Sequence, residues 1–195
     1  MKTKIILAVA VFFVANSYAQ ITKGNWLVGG NFQFAKSNNN GTASSNSRNT
    51  TFTISPKVGA FILDKGAIGL RGNYKSTMTK YEVTPGNLIT NRQYTIGVGP
   101  FIRYYFLPEE KLVNIISEVN VMYNQNVIKP YGGNNTSKFY NWEYSLQSGA
   151  VLFLNSSVAM EALIGYAYIK EKDQDSKVNS LSFNIGFQIH LEKQK

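Results

Sequence analysis

The sequence predicts an all-β protein: an eight-stranded antiparallel up-and-down transmembrane β-barrel. Three observations predict it. Apolar residues alternate with small or polar ones at period two in eight separate stretches. Each stretch runs for about 10 to 15 residues. An average soluble strand has about five or six, and a tilted membrane strand needs roughly nine to eleven. The connections alternate between tight turns and longer polar segments, the arrangement of a barrel with short turns on one rim and long loops on the other.

The stretches follow in order. The first sets Trp26, Val28, Gly30, Phe32 and Phe34 against Leu27, Gly29, Asn31, Gln33 and Ala35. The second sets Phe52, Ile54, Pro56, Val58, Ala60 and Ile62 against Thr51, Thr53, Ser55, Lys57, Gly59 and Phe61. The third opposes Ile68, Leu70, Gly72 and Tyr74 to Gly69, Arg71, Asn73 and Lys75. The fourth opposes Tyr94, Ile96, Val98, Pro100, Ile102, Tyr104 and Phe106 to Thr95, Gly97, Gly99, Phe101, Arg103 and Tyr105. In the fifth, Val113, Ile115, Val119, Val121 and Tyr123 face away from Asn114, Glu118, Asn120 and Asn124. In the sixth, Tyr140, Trp142, Tyr144, Leu146, Ala150, Leu152 and Leu154 face away from Asn141, Glu143, Ser145, Gln147 and Gly149. The seventh divides Met160, Ala162, Ile164, Tyr166 and Tyr168 from Ala159, Glu161, Gly165 and Ala167. The eighth divides Leu181, Phe183, Ile185, Phe187, Ile189 and Leu191 from Ser180, Ser182, Asn184, Gly186, Gln188 and His190. Leu63–Gly66, Leu107–Lys111 and Leu154–Ser157 are expected as tight turns. Lys36–Thr50, Ser76–Arg92, Gln125–Lys138 and Lys170–Lys177 are expected as long polar loops.

Alternation alone does not say which face points inward. A soluble ligand-binding barrel has an apolar lumen. Three features favour the inverted arrangement. The apolar face carries aromatics near the stretch ends, such as Trp26, Tyr74, Tyr104, Tyr123, Trp142 and Tyr168, as interfacial girdles do. The other face is rich in Gly, Asn, Ser and Thr and holds few charges, whereas a soluble exterior carries many. An eight-stranded lumen is also narrow, so small residues belong in it.

Composition sets bounds. The chain has 195 residues with 20 Lys+Arg against 11 Asp+Glu, a formal charge of +9. It has one His and no Cys, which excludes disulfides, thiolate zinc sites, a cysteine nucleophile and any multi-histidine metal centre. The charged fraction of 16% is below the roughly 25% usual in soluble domains.

Residues 1–19 have the layout of a secretory signal peptide. Lys2 and Lys4 precede the apolar run Ile5–Ala15, and Ser17-Tyr18-Ala19 supplies a small-residue cleavage site. The run would span only about 16 Å as a helix, roughly half the hydrocarbon core, so an anchor is disfavoured. Cleavage before Gln20 leaves residues 20–195 as the barrel domain. Removing Lys2 and Lys4 leaves 18 basic and 11 acidic residues, or 18 − 11 = +7.

The chain resembles the small outer-membrane β-barrel proteins of Gram-negative bacteria. The resemblance covers Asn25–Leu191, and its most specific stretch is Asn184-Ile185-Gly186-Phe187-Gln188-Ile189-His190-Leu191. It implies an outer-membrane location with both termini in the periplasm. It also implies an assembly signal at Asn184, Gly186, Ile189 and Leu191, read by the barrel-assembly machinery. Such proteins usually end on an aromatic; here Leu191 holds that place and residues 192–195 extend past it.

The informative residues are the few charges on the inward face. Counted from the short-turn rim, Lys57, Arg71, Arg103, Glu118 and Glu161 fall within one broad layer. Unpaired, each would cost several kcal/mol or more in a low-dielectric tube. They are expected to form one network across the lumen, with Phe61, Phe101, Tyr105 and Phe153 adding bulk. A static plug is favoured over an ion path.

Other candidates carry less. His190 could serve a lipid-modifying enzyme only beside a Ser and a carboxylate near the long-loop rim. It lies at the opposite end, about 26–33 Å along the strand from Ser180 and Ser182, and is expected to be an interfacial polar residue. Gly97-Val98-Gly99 lacks the third glycine and following helix of a dinucleotide site and suits narrow-lumen packing. The Asn-x-Ser/Thr matches at Asn40, Asn49, Asn134 and Asn135 carry little weight. Lys36, Arg48, Lys75, Lys80, Arg92, Lys129 and Lys138, near the long-loop rim, are expected to attract lipopolysaccharide phosphates rather than nucleic acid. The segment Ser37–Asn49, with Tyr81, Tyr131 and Tyr140, could offer a surface partner a contact. The expected protein is a monomer with a structural or loop-mediated interaction role, without catalytic residues, cofactor or metal. A soluble barrel binding a small apolar ligand is the second reading. A lipid-modifying enzyme and a narrow pore follow.

Overall fold

The computed structural model describes residues 21–39, 47–84, 87–130, 136–172 and 177–192. The expected leader, its cleavage site, Asn40, Tyr131, Asn134 and Asn135 lie outside them.

Eight strands form: β1 (Trp26–Asn39), β2 (Ser47–Leu63), β3 (Gly66–Thr84), β4 (Asn87–Tyr105), β5 (Val113–Lys129), β6 (Ser137–Phe153), β7 (Val158–Glu171) and β8 (Lys177–Leu191). Each pairs antiparallel with its sequence neighbour, and β1 pairs with β8 to close the barrel. The period-two pattern becomes a two-sided wall. Phe32, Ile96, Ile102, Ile164 and Phe187 are exposed on the outside, while Lys57, Arg103, Glu118 and Glu161 are buried within. This is the inverted arrangement, with hydrocarbon-compatible side chains out and polar ones in. Aromatics cluster where the apolar band ends. Tyr123 packs on Tyr140 and Trp142 with ring centroids 5.8 and 5.0 Å apart, and Tyr104 meets Phe106 edge-on at 5.3 Å on the opposite rim.

Two prolines sit in the wall without breaking it. Pro56 pairs with Gly30 on the β1 side, but the β2–β3 ladder is interrupted between Ile54↔Tyr74 and Lys57↔Arg71. Pro100 pairs with Leu70, while the β4–β5 ladder is interrupted between Val98↔Tyr123 and Phe101↔Asn120. Each proline lacks an N–H, and the gap lies where that donor would have been needed.

The long-loop rim differs from expectation. Lys36–Thr50, Ser76–Arg92, Gln125–Lys138 and Lys170–Lys177 were expected as loops, yet most of their described residues are strand. The β3–β4 hairpin is paired as far as Thr84↔Asn87. The apolar alternation stops at the membrane edge, but backbone pairing does not. Thr, Tyr and Val suit a pleated surface on either side of it, and each added pair satisfies backbone groups that loops leave to water.

The described lumen is layered. Nearest the short-turn rim, Ile21, Leu27, Phe61, Ala67, Tyr105, Ile116 and Phe153 make a dry cork. The segment before β1 is tied into it, since Phe61 N–H donates to Asn25 O at 2.9 Å and Lys65 N–H donates to Ile21 O at 2.8 Å. The charged layer sits directly on the cork, and a stretch of lumen lined with amides and hydroxyls lies beyond.

Candidate functional site

The charged layer is built by five strands. Lys57 comes from β2, Arg71 from β3, Arg103 from β4, Glu118 from β5 and Glu161 from β7. Each stands one or two inward steps from a buried apolar residue of the cork on its own strand, so register sets their common height. Lys57 is directly opposite Arg71, and Arg103 directly opposite Glu118.

Glu118 is the hub. Its carboxylate accepts from Arg103 Nε at 2.7 Å and from Lys57 Nζ at 3.0 Å, and pairs with Arg71 Nη1 at 3.5 Å. Glu161 takes Arg103 Nη1 at 2.8 Å, Lys57 Nζ at 3.3 Å and Gln188 Nε2 at 2.9 Å. Arg103 therefore bridges both carboxylates, which a planar fork can do and a point charge cannot. The side chains of Lys57, Arg103, Glu118 and Glu161 are fully buried. The Arg71 side chain, at 11% exposed, is the least buried of the five. All five expected charges therefore lie in one cluster.

Gly186 explains part of the C-terminal stretch. It lies opposite Glu161 on β7 and Asn31 on β1. A Cβ there would fall 2.9 Å from Glu161 Oε1 and 2.8 Å from Gly30 O. Any larger residue would push on the ion cluster. Asn184 faces the lumen, while Ile189 and Leu191 are exposed on the outer face.

His190 is not interfacial. It is fully buried in the cork, its Nε2 3.1 Å from the Tyr105 hydroxyl, with the rings of Phe61 and Phe153 at 5.9 and 5.4 Å. Its backbone N–H donates to Ser157 O at 2.6 Å. The expectation failed because a polar residue one step from a strand end was read as meeting water. Its parity on β8 already placed it in the lumen. Tyr105 also lies 3.3 Å from Arg103 Nη1 and so joins the cork to the charged layer.

Sequence reasoning missed much of the cork. Ile116, Val151 and Leu163 are apolar yet inward, and fully buried. For Ile116 and Val151, position beside the short turns was the signal that could have found them; Leu163, two residues past Glu161, carried none. Gln188, which supports Glu161, was visible only as a polar residue on the correct face.

Gly97 and Gly99 fit close packing within the wall. A Cβ on Gly99 would collide with Val121 O and Met122 Cα on β5. Beyond this point the lumen is polar. Asn31, Ser55, Asn120, Asn124, Ser145 and Gln147 are buried, and neither amide atom of Asn31 or Asn120 has a protein partner.

The cations expected at the long-loop rim divide. Lys36, Arg48, Lys80, Arg92, Lys129 and Lys138 share the outward rows and are exposed just beyond the aromatic girdle. Lys75 does not belong with them. It shares its row with Thr53 and Thr95, on the lumen side. Within the outward set, Arg48 stands directly opposite Lys80, and Arg92 directly opposite Lys129. Among the described residues, none of these six makes an ion pair; Lys129 lies over the Tyr94 ring at 5.6 Å.

Among solved structures, the chain is similar to a crystal structure of Neisserial surface protein A (NspA). The TM-score is 0.51 at 18% identity, covering 84% of this chain and 96% of that one. It is also similar to the outer membrane protein AlkL, solved by solid-state NMR in DMPC lipid bilayers. There the TM-score is 0.37 at 14% identity, covering 88% of this chain and 89% of that one. The first likeness shows the fold. No curated protein matches the chain in sequence. The family model for the outer membrane protein beta-barrel domain matches residues 5–190. The chain belongs to that family and is a protein of the outer membrane.

Proposed function

We propose that this outer-membrane barrel is a closed, non-enzymatic wall element. Its lumen is plugged and its outward hairpins do the interacting. The observation that carries this reading is the ion cluster seated on a dry aromatic cork. Three cations and two carboxylates from five strands meet across the tube, with the side chains of Lys57, Arg103, Glu118 and Glu161 fully buried. An ion entering would have to displace partners that have no other counter-charge nearby. His190 supports the non-enzymatic reading, because it hydrogen-bonds to Tyr105 and, through its backbone N–H, to the Ser157 carbonyl. The mature chain begins at Gln20, and Asn184, Gly186, Ile189 and Leu191 serve its assembly. The barrel works as a monomer and takes no nucleic acid.

The outward cations give the interaction its chemistry. Two like-charged pairs stand face to face across β2–β3 and β4–β5. Like charges directly opposite destabilise a sheet unless a counter-ion sits between them. The phosphates of outer-leaflet lipopolysaccharide arrive at that height.

The test is planar-bilayer conductance of the refolded protein. The closed reading expects no stable steps. Steps of nanosiemens size overturn it. Unchanged mass of lipid A after incubation with the protein is expected, and loss of an acyl chain overturns the non-enzymatic reading.

A further inference from the structure

The wall of this barrel is not equally closed all round. The β1–β2 ladder runs from Trp26↔Ala60 to Asn39↔Ser47, and β7–β8 from Val158↔Ile189 to Lys170↔Lys177. The β1–β8 ladder has seven pairs, Trp26↔Leu191 to Phe32↔Ile185, and stops. Above it, residues 33–38 of β1 and 178–184 of β8 are each paired on one side only.

The stop lies within the hydrocarbon band. Six strand steps from Trp26 to Phe32 rise about 15 Å along the membrane normal at the usual tilt, and the apolar band of such barrels is roughly 25 Å tall. Side chains agree. Phe34, Phe183 and Leu181 lie above the last pair, pointing outward, and are 63%, 58% and 77% exposed. On β7 the girdle residue Tyr166 is level with Leu181, so three residues of β8 below the girdle are unpaired toward β1. Ala35 and Ser180, on the lumen rows, are exposed as well.

Backbone cannot leave its donors and acceptors to hydrocarbon, but it can line a polar cavity. Here the lumen side of the seam is polar. The unpaired stretch begins beside Asn31 and Asn184, both buried on the lumen rows. The polar lumen therefore reaches the lipid sideways at this slit. Directly below it, on the outer face, is a groove of about 580 Å³ lined by Gly30, Phe32, Ile54, Pro56, Ile185 and Phe187 among others. Two residues beyond Phe34 on the same row stands Lys36, exposed.

The geometry points to a built-in lipid site at the β1–β8 seam. One acyl chain of an anionic outer-leaflet lipid lies in the groove, its carbonyl linkage fills the slit against the unpaired backbone of β1 and β8, and its phosphate meets Lys36. The order of chemistry along the seam matches the order along such a lipid: apolar, then polar and uncharged, then cationic. The site needs no open lumen and holds whether or not the barrel conducts.

Two experiments test it. The chain has no native cysteine, so pairs can be introduced singly. Val28→Cys with Ile189→Cys lies within the ladder and is expected to cross-link on oxidation in native membranes. Ala35→Cys with Ser182→Cys would be the second lumen-facing pair beyond the last one if the ladder continued. It is expected to stay reduced, because a disulfide needs Cα atoms within about 7 Å. Complete cross-linking of that pair closes the seam and overturns the site. Separately, full-length protein is extracted from phosphatidylglycerol vesicles and weighed intact by native mass spectrometry. One retained lipid per barrel is expected. Pro56→Trp, which fills the groove, and Lys36→Gln, which leaves the wall untouched, are each expected to lower retention at least several-fold. Heat-modifiable mobility shows that each variant is folded. Equal retention by the folded variants and the parent overturns the proposal.

Discussion

Charge occupies two regions of this barrel and meets opposite treatment in them. In the lumen, Lys57, Arg71 and Arg103 are matched by Glu118 and Glu161, and the cluster carries a net 3 − 2 = +1. On the outer rim, Arg48 faces Lys80 and Arg92 faces Lys129 with no carboxylate paired among the described residues. The difference follows from what surrounds each set. Inside the tube no solvent can screen a lone ion, so the fold must supply the partner. At the rim, water, salt and lipid phosphate are at hand, and the fold can leave cations facing cations.

The strongest way to break the comparison is to remove the hub. Glu118→Ala strands three cations around the one remaining carboxylate. It should cost about 3–5 kcal/mol, read as a lowered urea midpoint for the vesicle-inserted barrel. A cost near zero would mean that water reaches the cluster, and the two regions would then be alike. Removing charge in balance should behave differently. Lys57→Met combined with Glu161→Gln keeps Arg71 and Arg103 on Glu118. The pair should cost less than the sum of the singles, with a coupling of about 1–3 kcal/mol. Strict additivity would show that Lys57 and Glu161 do not sense each other across their 3.3 Å contact.

A smaller effect is expected at the joint between charge and cork. Tyr105→Phe deletes the hydroxyl that sits 3.3 Å from Arg103 Nη1 and 3.1 Å from His190 Nε2. The packing of the ring is kept, so the loss should be about 1–2 kcal/mol, the cost of leaving buried polar partners unmade. The same unfolding curves measure it. Because the site is dry, the loss should not depend on salt.

How far this contrast was legible in the sequence depends on parity. Period two assigns every wall residue to a side, and no β-bulge shifts that assignment between Trp26 and Phe61 or between Val113 and Phe153. That is why Lys57, Glu118 and their partners could be placed in one layer from counting alone. Parity carries no information about where a ladder ends. The hairpins around Arg48 and Lys80 were read as loops because their outward residues turn polar, a change of surroundings rather than of backbone. Nor does parity distinguish a polar side chain meeting water from one folded into a cork, as with His190. The short β1–β8 seam was invisible for a different reason. It depends on how far two strands at opposite ends of the chain stay together, and nothing local in either strand encodes that.

The smallest effect sharpens the comparison most, because it reverses sign with the surroundings. Arg48→Glu turns a like-charged pair with Lys80 into an opposite one. Were water the only neighbour, that should stabilise the barrel, by less than about 1 kcal/mol at low salt. Vesicles of neutral phosphatidylcholine supply that condition, and the gain should fade as the screening length drops from about 10 Å at 0.1 M salt to 3 Å at 1 M. On the proposed reading, lipopolysaccharide-containing vesicles place phosphates between the cations of the parent, and the new carboxylate repels those phosphates. There the same substitution should destabilise. A stabilisation of equal size in both lipids would mean that the rim cations merely face water, and the lumen would then be the one place where this barrel's charges have partners.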